Sequence, residues 1–121
     1  MSETFKVFVV DDDPFILETI HGILKPDFAA ETFSSAEDCL LRLETEKPGM
    51  FLLDVRMPGM DGYAFCRQIK DDASLRQIPV TFVSSQDTLD ARLQGYDAGG
   101  EDFIVKPFQA EEVLRKVQAA Q

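Results

Sequence analysis

The chain has 121 residues, of which 45% are hydrophobic, and it carries 22 acidic against 12 basic residues, a formal net charge of −10. A chain of this size buries about two thirds of its unfolded surface, which is enough for one self-sufficient core, so we predict a single domain over residues 1–121. Binding to a phosphate backbone depends on clustered Lys and Arg, and the acidic balance therefore argues against direct nucleic-acid binding.

The cysteines and the hydropathy pattern argue against a disulfide-rich, a membrane-spanning or a secreted protein. Cys39 and Cys66 lack the spacing of metal ligands, and two cysteines do not make a disulfide framework, so we interpret them as small core residues in a reducing compartment. No apolar run approaches the ~18 residues of a membrane span, and no charged-then-apolar leader opens the sequence. We expect no membrane attachment, no secretion and a cytoplasmic location.

Short apolar runs alternate with amphipathic stretches five times along the chain. The runs predicted as strands are 5–10, 28–32, 50–53, 80–83 and 102–105. Five stretches are predicted as helices. The first covers about 14–25, the second is opened by residues 34–37 and reaches 43, the third begins after 62 and ends at about 71, the fourth begins at 89 and ends near the glycine pair 99–100, and the fifth covers about 108–119. Strict alternation of strands and helices predicts an α/β fold with a parallel sheet and helices on both of its faces.

Local signals indicate where the helices begin and end. Asp13 is the expected N-cap of the first helix, with Pro14 at its first position. The sequence from Ser34 to Glu37 has the capping-box pattern that opens a helix. Gly99 is the expected C-cap of the fourth helix.

Polar residues of one reaction type stand at the carboxyl ends of the apolar runs. They are Asp11, Asp12, Asp54, Ser84 and Lys106. In an open parallel sheet, ligands bind outside the carboxyl ends of the strands, where residues far apart in sequence converge. Carboxylates, a hydroxyl and an ammonium in one crevice suit a divalent cation and a phosphoryl group, so the pattern predicts a phosphoryl-transfer site.

Four motifs, in order and spacing, closely resemble the receiver domain of two-component response regulators: VVDDDP, LLDVRMPGMDG, the VSS after PVTF, and AGGEDFIVKPF. The resemblance covers about residues 6–117, and its most specific part is LLDVRMPGMDG. It implies one receiver domain with a flavodoxin-like fold, a three-layer (βα)5 sandwich around a five-stranded parallel sheet in the order 2-1-3-4-5.

The resemblance assigns Asp54 as the phosphoacceptor, and an aspartate is able to attack phosphorus to form an acyl phosphate. It makes Asp12 a direct metal ligand, Asp11 an outer, water-bridged one, and the main-chain carbonyl of Arg56 a further ligand. Mg²⁺ prefers oxygen ligands of this kind, and Mn²⁺ is the alternative. Clustered carboxylates raise one another's proton affinity, so we expect a metal ion to relieve the repulsion.

The remaining site residues follow from the same resemblance. Lys106 brings a positive charge to the phosphoryl oxygens, and the Lys106–Pro107 peptide is expected to be cis. Ser84 donates a hydrogen bond to a phosphoryl oxygen. Phe103 occupies a position where the family often has tyrosine, so Ser84 and Phe103 form the expected switch pair, without readout through a tyrosine hydroxyl.

The implied function is phosphoacceptor in a two-component system or phosphorelay. A histidine kinase or phosphotransfer protein would supply the phosphoryl group, and an output domain or downstream protein would read it. The chain would catalyse only its own aspartyl phosphorylation and dephosphorylation, so we do not expect an enzyme with a separate substrate. The fourth helix, fifth strand and last helix form the expected docking face, including a phosphorylation-dependent dimer.

Three alternatives share part of the pattern. A haloacid-dehalogenase-type phosphatase also begins with a strand ending in D-x-D, here Asp11 and Asp13, but Phe15 replaces the expected small residue and no later acidic metal motif follows. A flavodoxin requires a Ser/Thr/Gly-rich phosphate loop, whereas VVDDDPF would repel that phosphate. A receiver that acts as a constitutive interaction module would differ from a phosphoacceptor, because it would not be labelled with a phosphoryl group in a metal-dependent reaction.

Overall fold

A computed structural model describes residues 4–121 and contains five strands and five helices. The strands are β1 Lys6–Val10, β2 Ala29–Phe33, β3 Met50–Asp54, β4 Val80–Ser84 and β5 Asp102–Val105. The helices are α1 Pro14–Leu24, α2 Ala36–Leu43, α3 Gly62–Asp71, α4 Leu89–Asp97 and α5 Ala110–Ala120. Across residues 4–121, none of these helices combines the length and apolar character needed to cross a membrane.

All neighbouring strands pair in parallel, and their order in the sheet is β2-β1-β3-β4-β5. This confirms the predicted fold class. Because the chain winds in opposite directions from β1 toward β2 and from β1 toward β3, the order reverses between β1 and β3. A ligand crevice is expected at the carboxyl ends of those two strands.

The core consists of two layers, one on each face of the sheet. The layer under α1 and α5 contains Val7, Val9, Ile20, Leu24, Val113 and Val117. The layer under α2 and α3 contains Phe8, Val10, Phe51, Leu53, Phe65 and Phe82. Central strands covered on both faces have no polar side, which explains the uninterrupted apolar runs in the sequence.

Both cysteines lie in the second layer, as expected. Burial raises the pKa of the Cys39 thiol to about 12 and that of the Cys66 thiol to about 11. Because the thiolate is the reactive form, burial and the raised pKa values disfavour reaction at either thiol.

Asp13 caps α1 as predicted: its Oδ1 accepts a hydrogen bond from the Phe15 N–H at 2.9 Å, and Pro14 is the first helical residue. Its carboxylate is therefore used by the helix, which removes support for a D-x-D phosphatase site. The capping box predicted from Ser34 was wrong by one residue. Ser35 is the N-cap of α2, and its Oγ accepts from the Asp38 N–H at 3.1 Å.

The face of α4 that meets the sheet is made of small residues. Ala91 and Gly95 are buried, and a Cβ on Gly95 would lie only 2.5 Å from the Phe103 ring, so the helix backbone approaches closely there. The large apolar residues whose spacing predicted this helix point to solvent instead: Leu89, Leu93 and Tyr96. At the end of α4, Ala98 is the C-cap, one residue earlier than the predicted Gly99, which follows it with a φ of +102°.

Candidate functional site

The carboxylates of Asp11, Asp12 and Asp54 meet at the carboxyl edge of the sheet. Asp11 follows β1 and Asp54 ends β3, and the pairing of Val10 with Leu53 brings the two strand ends side by side. Oxygen atoms of the three carboxylates lie within 4.8 Å of one another. Asp11 is 2% exposed and Asp54 is 7% exposed, whereas Asp12 is open to solvent.

Lys106 completes this cluster from the end of β5. Its Nζ donates to Asp11 Oδ2 at 2.9 Å and to Asp54 Oδ1 at 3.3 Å. The Lys106–Pro107 peptide is cis, as the resemblance implied. The backbone N–H of Lys106 also donates to the Ser84 carbonyl at 2.8 Å, which ties the ends of β4 and β5 together.

Ser84 is the last residue of β4 and is buried. Its neighbour Val83 pairs with Asp54, so the serine lies on the strand next to that of Asp54. The Ser84 Oγ accepts a hydrogen bond from the Gln86 N–H at 3.0 Å. Because a hydroxyl is both acceptor and donor, its proton is left for a second partner such as a phosphoryl oxygen.

Burial and charge change the acid–base properties of the cluster. Burial, and next the charge of Asp11, raise the pKa of Asp54 to about 6, although Lys106 opposes the shift. Burial lowers the pKa of Lys106, but hydrogen bonds and attraction from Asp11 and Asp54 outweigh it, so the pKa is raised overall. The lysine is therefore charged at neutral pH, and Asp54 holds its proton unusually well for a carboxylic acid.

The donor set suits a hard divalent cation. All side-chain ligands on offer are carboxylate oxygens, which Mg²⁺ prefers. Both oxygens of Asp11 already accept hydrogen bonds, Oδ1 from the Asp13 N–H at 2.9 Å and Oδ2 from Lys106. Asp12 is exposed at the same edge, so the arrangement fits Asp12 as a direct ligand and Asp11 as an outer one.

A cleft of about 690 Å³ opens beside the cluster, between the loop after β3 and the start of α4. Asp12 and Arg56 both line this cleft. The two residues expected to offer a carboxylate and a main-chain carbonyl to the metal therefore lie on the same cleft. Tyr63 also lines it, and its hydroxyl donates to the Ala91 carbonyl at 2.9 Å, joining α3 to α4. Sequence reasoning missed this tyrosine, because its partner is 28 residues away and no local pattern links the two.

Phe103 lies inside the core rather than at the carboxylate cluster. It is 3% exposed, and its ring packs 5.2 Å from the Phe82 ring and 6.0 Å from the Tyr96 ring, measured between centroids. The Arg92 guanidinium lies over the same ring at 5.6 Å. Phe103 pairs with Phe82 in the sheet, two residues before Ser84 on the neighbouring strand, and the switching role of Ser84 and Phe103 stays a prediction.

Known proteins resemble this chain in sequence and in fold. Response regulator Rre1 of Synechocystis sp. is 30% identical over an alignment of 126 residues that covers 100% of this chain and 54% of Rre1. The chain thus spans about half the length of that relative. The chemotaxis protein CheY4 of Vibrio cholerae has the same fold, with a TM-score of 0.93 at 22% identity over 98% of this chain and 100% of the other.

A second solved structure is similar in sequence as well as in fold. The BeF3-activated receiver domain of DrrB from Thermotoga maritima superposes with a TM-score of 0.89 at 31% identity, covering 98% of this chain and 97% of that one. The family model of the response regulator receiver domain matches residues 7–118. This chain therefore belongs to the receiver domain family of two-component response regulators.

Proposed function

We propose that this chain takes a phosphoryl group from a histidine kinase or phosphotransfer protein onto Asp54 in a Mg²⁺-dependent reaction, and that the modification switches a protein-interaction surface. The observation that carries the proposal is the cluster at the sheet edge. There, the Asp54 carboxylate ends a buried strand 3.3 Å from the ammonium of Lys106. A carboxylate and a cation in this arrangement form a site for nucleophilic attack on phosphorus.

The chemistry divides between one nucleophile and several positioning groups. An Asp54 oxygen attacks the phosphorus of a phosphohistidine, the P–N bond breaks, and its electron pair returns to the imidazole nitrogen. The transition state is loose, so placement and charge neutralisation supply most of the rate. Lys106 would move from the Asp54 carboxylate to the new phosphoryl oxygens, and Ser84 would donate to one of them.

Asp12, Asp54 and the main-chain carbonyl of Arg56 would hold the cation, with Asp11 in an outer position. A bound Mg²⁺ supplies positive charge that offsets the carboxylates and the phosphoryl oxygens. In this proposal the chain acts only on itself, adding and losing its own phosphoryl group. It is not an enzyme with a separate substrate.

The signalling surface that we propose is the face of α4, β5 and α5. Leu89, Leu93 and Tyr96 expose large apolar side chains on one side of α4. Exposed apolar residues grouped on one face favour a protein partner, here an output domain, a downstream protein or a second phosphorylated copy. The cytoplasmic location expected from the sequence stays a prediction.

Labelling with a small acyl phosphate tests the proposal without knowledge of the kinase. With Mg²⁺, intact-mass analysis should find one added phosphoryl group on the wild type and none on Asp54→Asn. Chelation of the metal should stop the reaction. Labelling that is independent of both Asp54 and the metal would contradict the proposal, and a complete lack of labelling would favour the constitutive interaction module.

A further inference from the structure

The Glu37 side chain turns away from its own helix and contacts the loop after β3. Glu37 lies in the first turn of α2, but Ser35 caps that helix, so the Glu37 carboxylate is not used there. Its Oε2 accepts a hydrogen bond from the Met60 N–H at 3.2 Å, across 23 residues of sequence. The contact joins α2 to the loop that leaves the phosphoacceptor strand.

The neighbouring glycine is adapted to this contact. Gly59 has a φ of +78°, a left-handed conformation that side chains disfavour. A Cβ added to Gly59 would lie 2.8 Å from the same Oε2 of Glu37. The carboxylate thus lies directly against the turn at residues 59–60, where the left-handed backbone of Gly59 favours glycine.

The loop from 55 to 61 is held at two points. At its base, where its two ends meet, the Gly62 N–H donates to the Val55 carbonyl at 2.8 Å, and a Cβ on Gly62 would lie 2.1 Å from the Asp54 carbonyl. At its far end, the Glu37 carboxylate holds the Met60 N–H. Arg56 lies between these two points and lines the cleft that also contains Asp12.

We propose that Glu37 is a positioning residue for the metal and phosphoryl site: it holds the loop after β3 so that the Arg56 carbonyl is presented to the cation. The inference rests on the proposed function, because it concerns the same site. Hydrogen bonds from an N–H to an ionised carboxylate are stronger than neutral ones. The contact is exposed, however, so the effect on the site is modest.

Four variants distinguish the effect of the length of the Glu37 side chain from the effect of its charge. Glu37→Ala removes the contact, Glu37→Asp keeps the charge but is one methylene too short, and Glu37→Gln keeps the length and an acceptor oxygen. Asp38→Ala is the matched control, because Asp38 also lies in the first turn of α2, and among residues 4–121 its carboxylate accepts a hydrogen bond only from the Ser34 Oγ, at 3.5 Å. Calorimetry with Mg²⁺ alone gives the Kd of each variant, and hydrogen exchange of the Met60 amide reports the contact itself.

We expect Glu37→Ala and Glu37→Asp to weaken Mg²⁺ binding by about fivefold, the size expected for one lost hydrogen bond. Both should also exchange the Met60 amide faster. Asp38→Ala should stay within about twofold of wild type, and Glu37→Gln should lie between wild type and Glu37→Ala, because it keeps the contact but loses the charge that strengthens it. Equal Mg²⁺ affinity of Glu37→Asp and wild type would overturn the inference alone, whereas a wild type that binds no Mg²⁺ would overturn the proposed function as well.

Discussion

The Nζ of Lys106 lies 3.3 Å from Oδ1 of Asp54, although 52 residues separate the two in the sequence. The same ammonium donates to Asp11 at 2.9 Å, so one lysine forms hydrogen bonds with two buried carboxylates. An incoming phosphoryl group would offer this ammonium oxygen atoms of higher charge. The lysine therefore connects the acid–base state of Asp54 with its phosphorylation.

A Lys106→Ala substitution should raise the pKa of Asp54 above its present value of about 6, because it removes the positive charge that opposes burial and the Asp11 charge. NMR titration of the Asp54 carboxyl carbon measures this. Phosphorylation by an acyl phosphate should still occur, but at a rate at least about tenfold lower, because a charge that stabilises the transition state is lost.

Lys116→Ala is the control, since Lys116 binds Asp102 in a similar ion pair. That variant should leave both the Asp54 pKa and the labelling rate unchanged. An unchanged Asp54 pKa in Lys106→Ala would show that the observed contact has no electrostatic consequence.

The pKa of Asp54 also predicts how stability depends on pH. In the metal-free protein, the folded state holds the Asp54 proton with a pKa of about 6, above the ordinary value of 3.8. The folded state therefore binds more protons than the unfolded chain between these values, and this contribution to stability falls as the pH rises from about 4 to about 6. Asp54→Asn lacks the titrating group and should escape this loss.

Urea unfolding at pH 4.5 and pH 7 checks this sign. As the pH rises from 4.5 to 7, the free energy of unfolding of Asp54→Asn should increase relative to that of wild type by on the order of 2 kcal/mol, as expected for a pKa shift of this size. The control is Asp72→Asn, because hydrogen bonds from Ser74 lower the pKa of Asp72 and shift its titration below this window. A gain for Asp54→Asn no larger than that for Asp72→Asn would contradict the assigned pKa.

The switch prediction concerns Phe103, which now lies between Phe82 and Tyr96. Phe103→Leu keeps most of the apolar volume but removes the ring contacts with Tyr96 and Arg92. We expect labelling of Asp54 within about twofold of wild type, because the ring packs in the core against Phe82 and is not part of the carboxylate cluster. The amide shifts of α4 on addition of BeF3⁻ should become smaller.

Phe28→Leu is a suitable comparison, since Phe28 is buried in the layer on the opposite side of the sheet. It should leave the α4 response intact. If Phe103→Leu responds to BeF3⁻ as fully as Phe28→Leu does, Phe103 is a fixed core residue and not a switch.

The docking face predicts a difference between two exposed leucines. Leu93 on α4 is 50% exposed and Leu41 on α2 is 66% exposed, so neither supports the core much. Leu93→Ser should weaken phosphorylation-dependent self-association or partner binding by about tenfold, whereas Leu41→Ser should not. Sedimentation of the BeF3⁻-treated proteins measures self-association, and equal behaviour of the two variants would place the interface elsewhere.

The fold was predictable because its signals are local and repeated. Apolar runs with turn residues between them indicated every strand, and Asp13 with Pro14 marked the start of α1. Strand ends were harder, because Asp54 and Ser84 are polar yet still pair with the next strand, so both belong to strands predicted to end one residue earlier.

The site was predictable as a set of residues but not as a set of contacts. Motif order brought Asp11, Asp54 and Lys106 to one edge, but no pattern shows that the lysine would bond to both carboxylates. Helix spacing predicted α4 but not its buried face, since the close approach at Gly95 depends on the Phe103 ring of a different element. Contacts between distant elements are decided by packing, which sequence periodicity does not encode.

The most direct test of the central claim is to locate the phosphoryl group. After reaction with an acyl phosphate and Mg²⁺, borohydride reduces an aspartyl phosphate to homoserine, and peptide mass spectrometry identifies the modified position. We predict homoserine at position 54 and at no other aspartate, with none formed when the metal is chelated. Homoserine at Asp11, Asp12 or Asp13 with Asp54 intact would contradict the account.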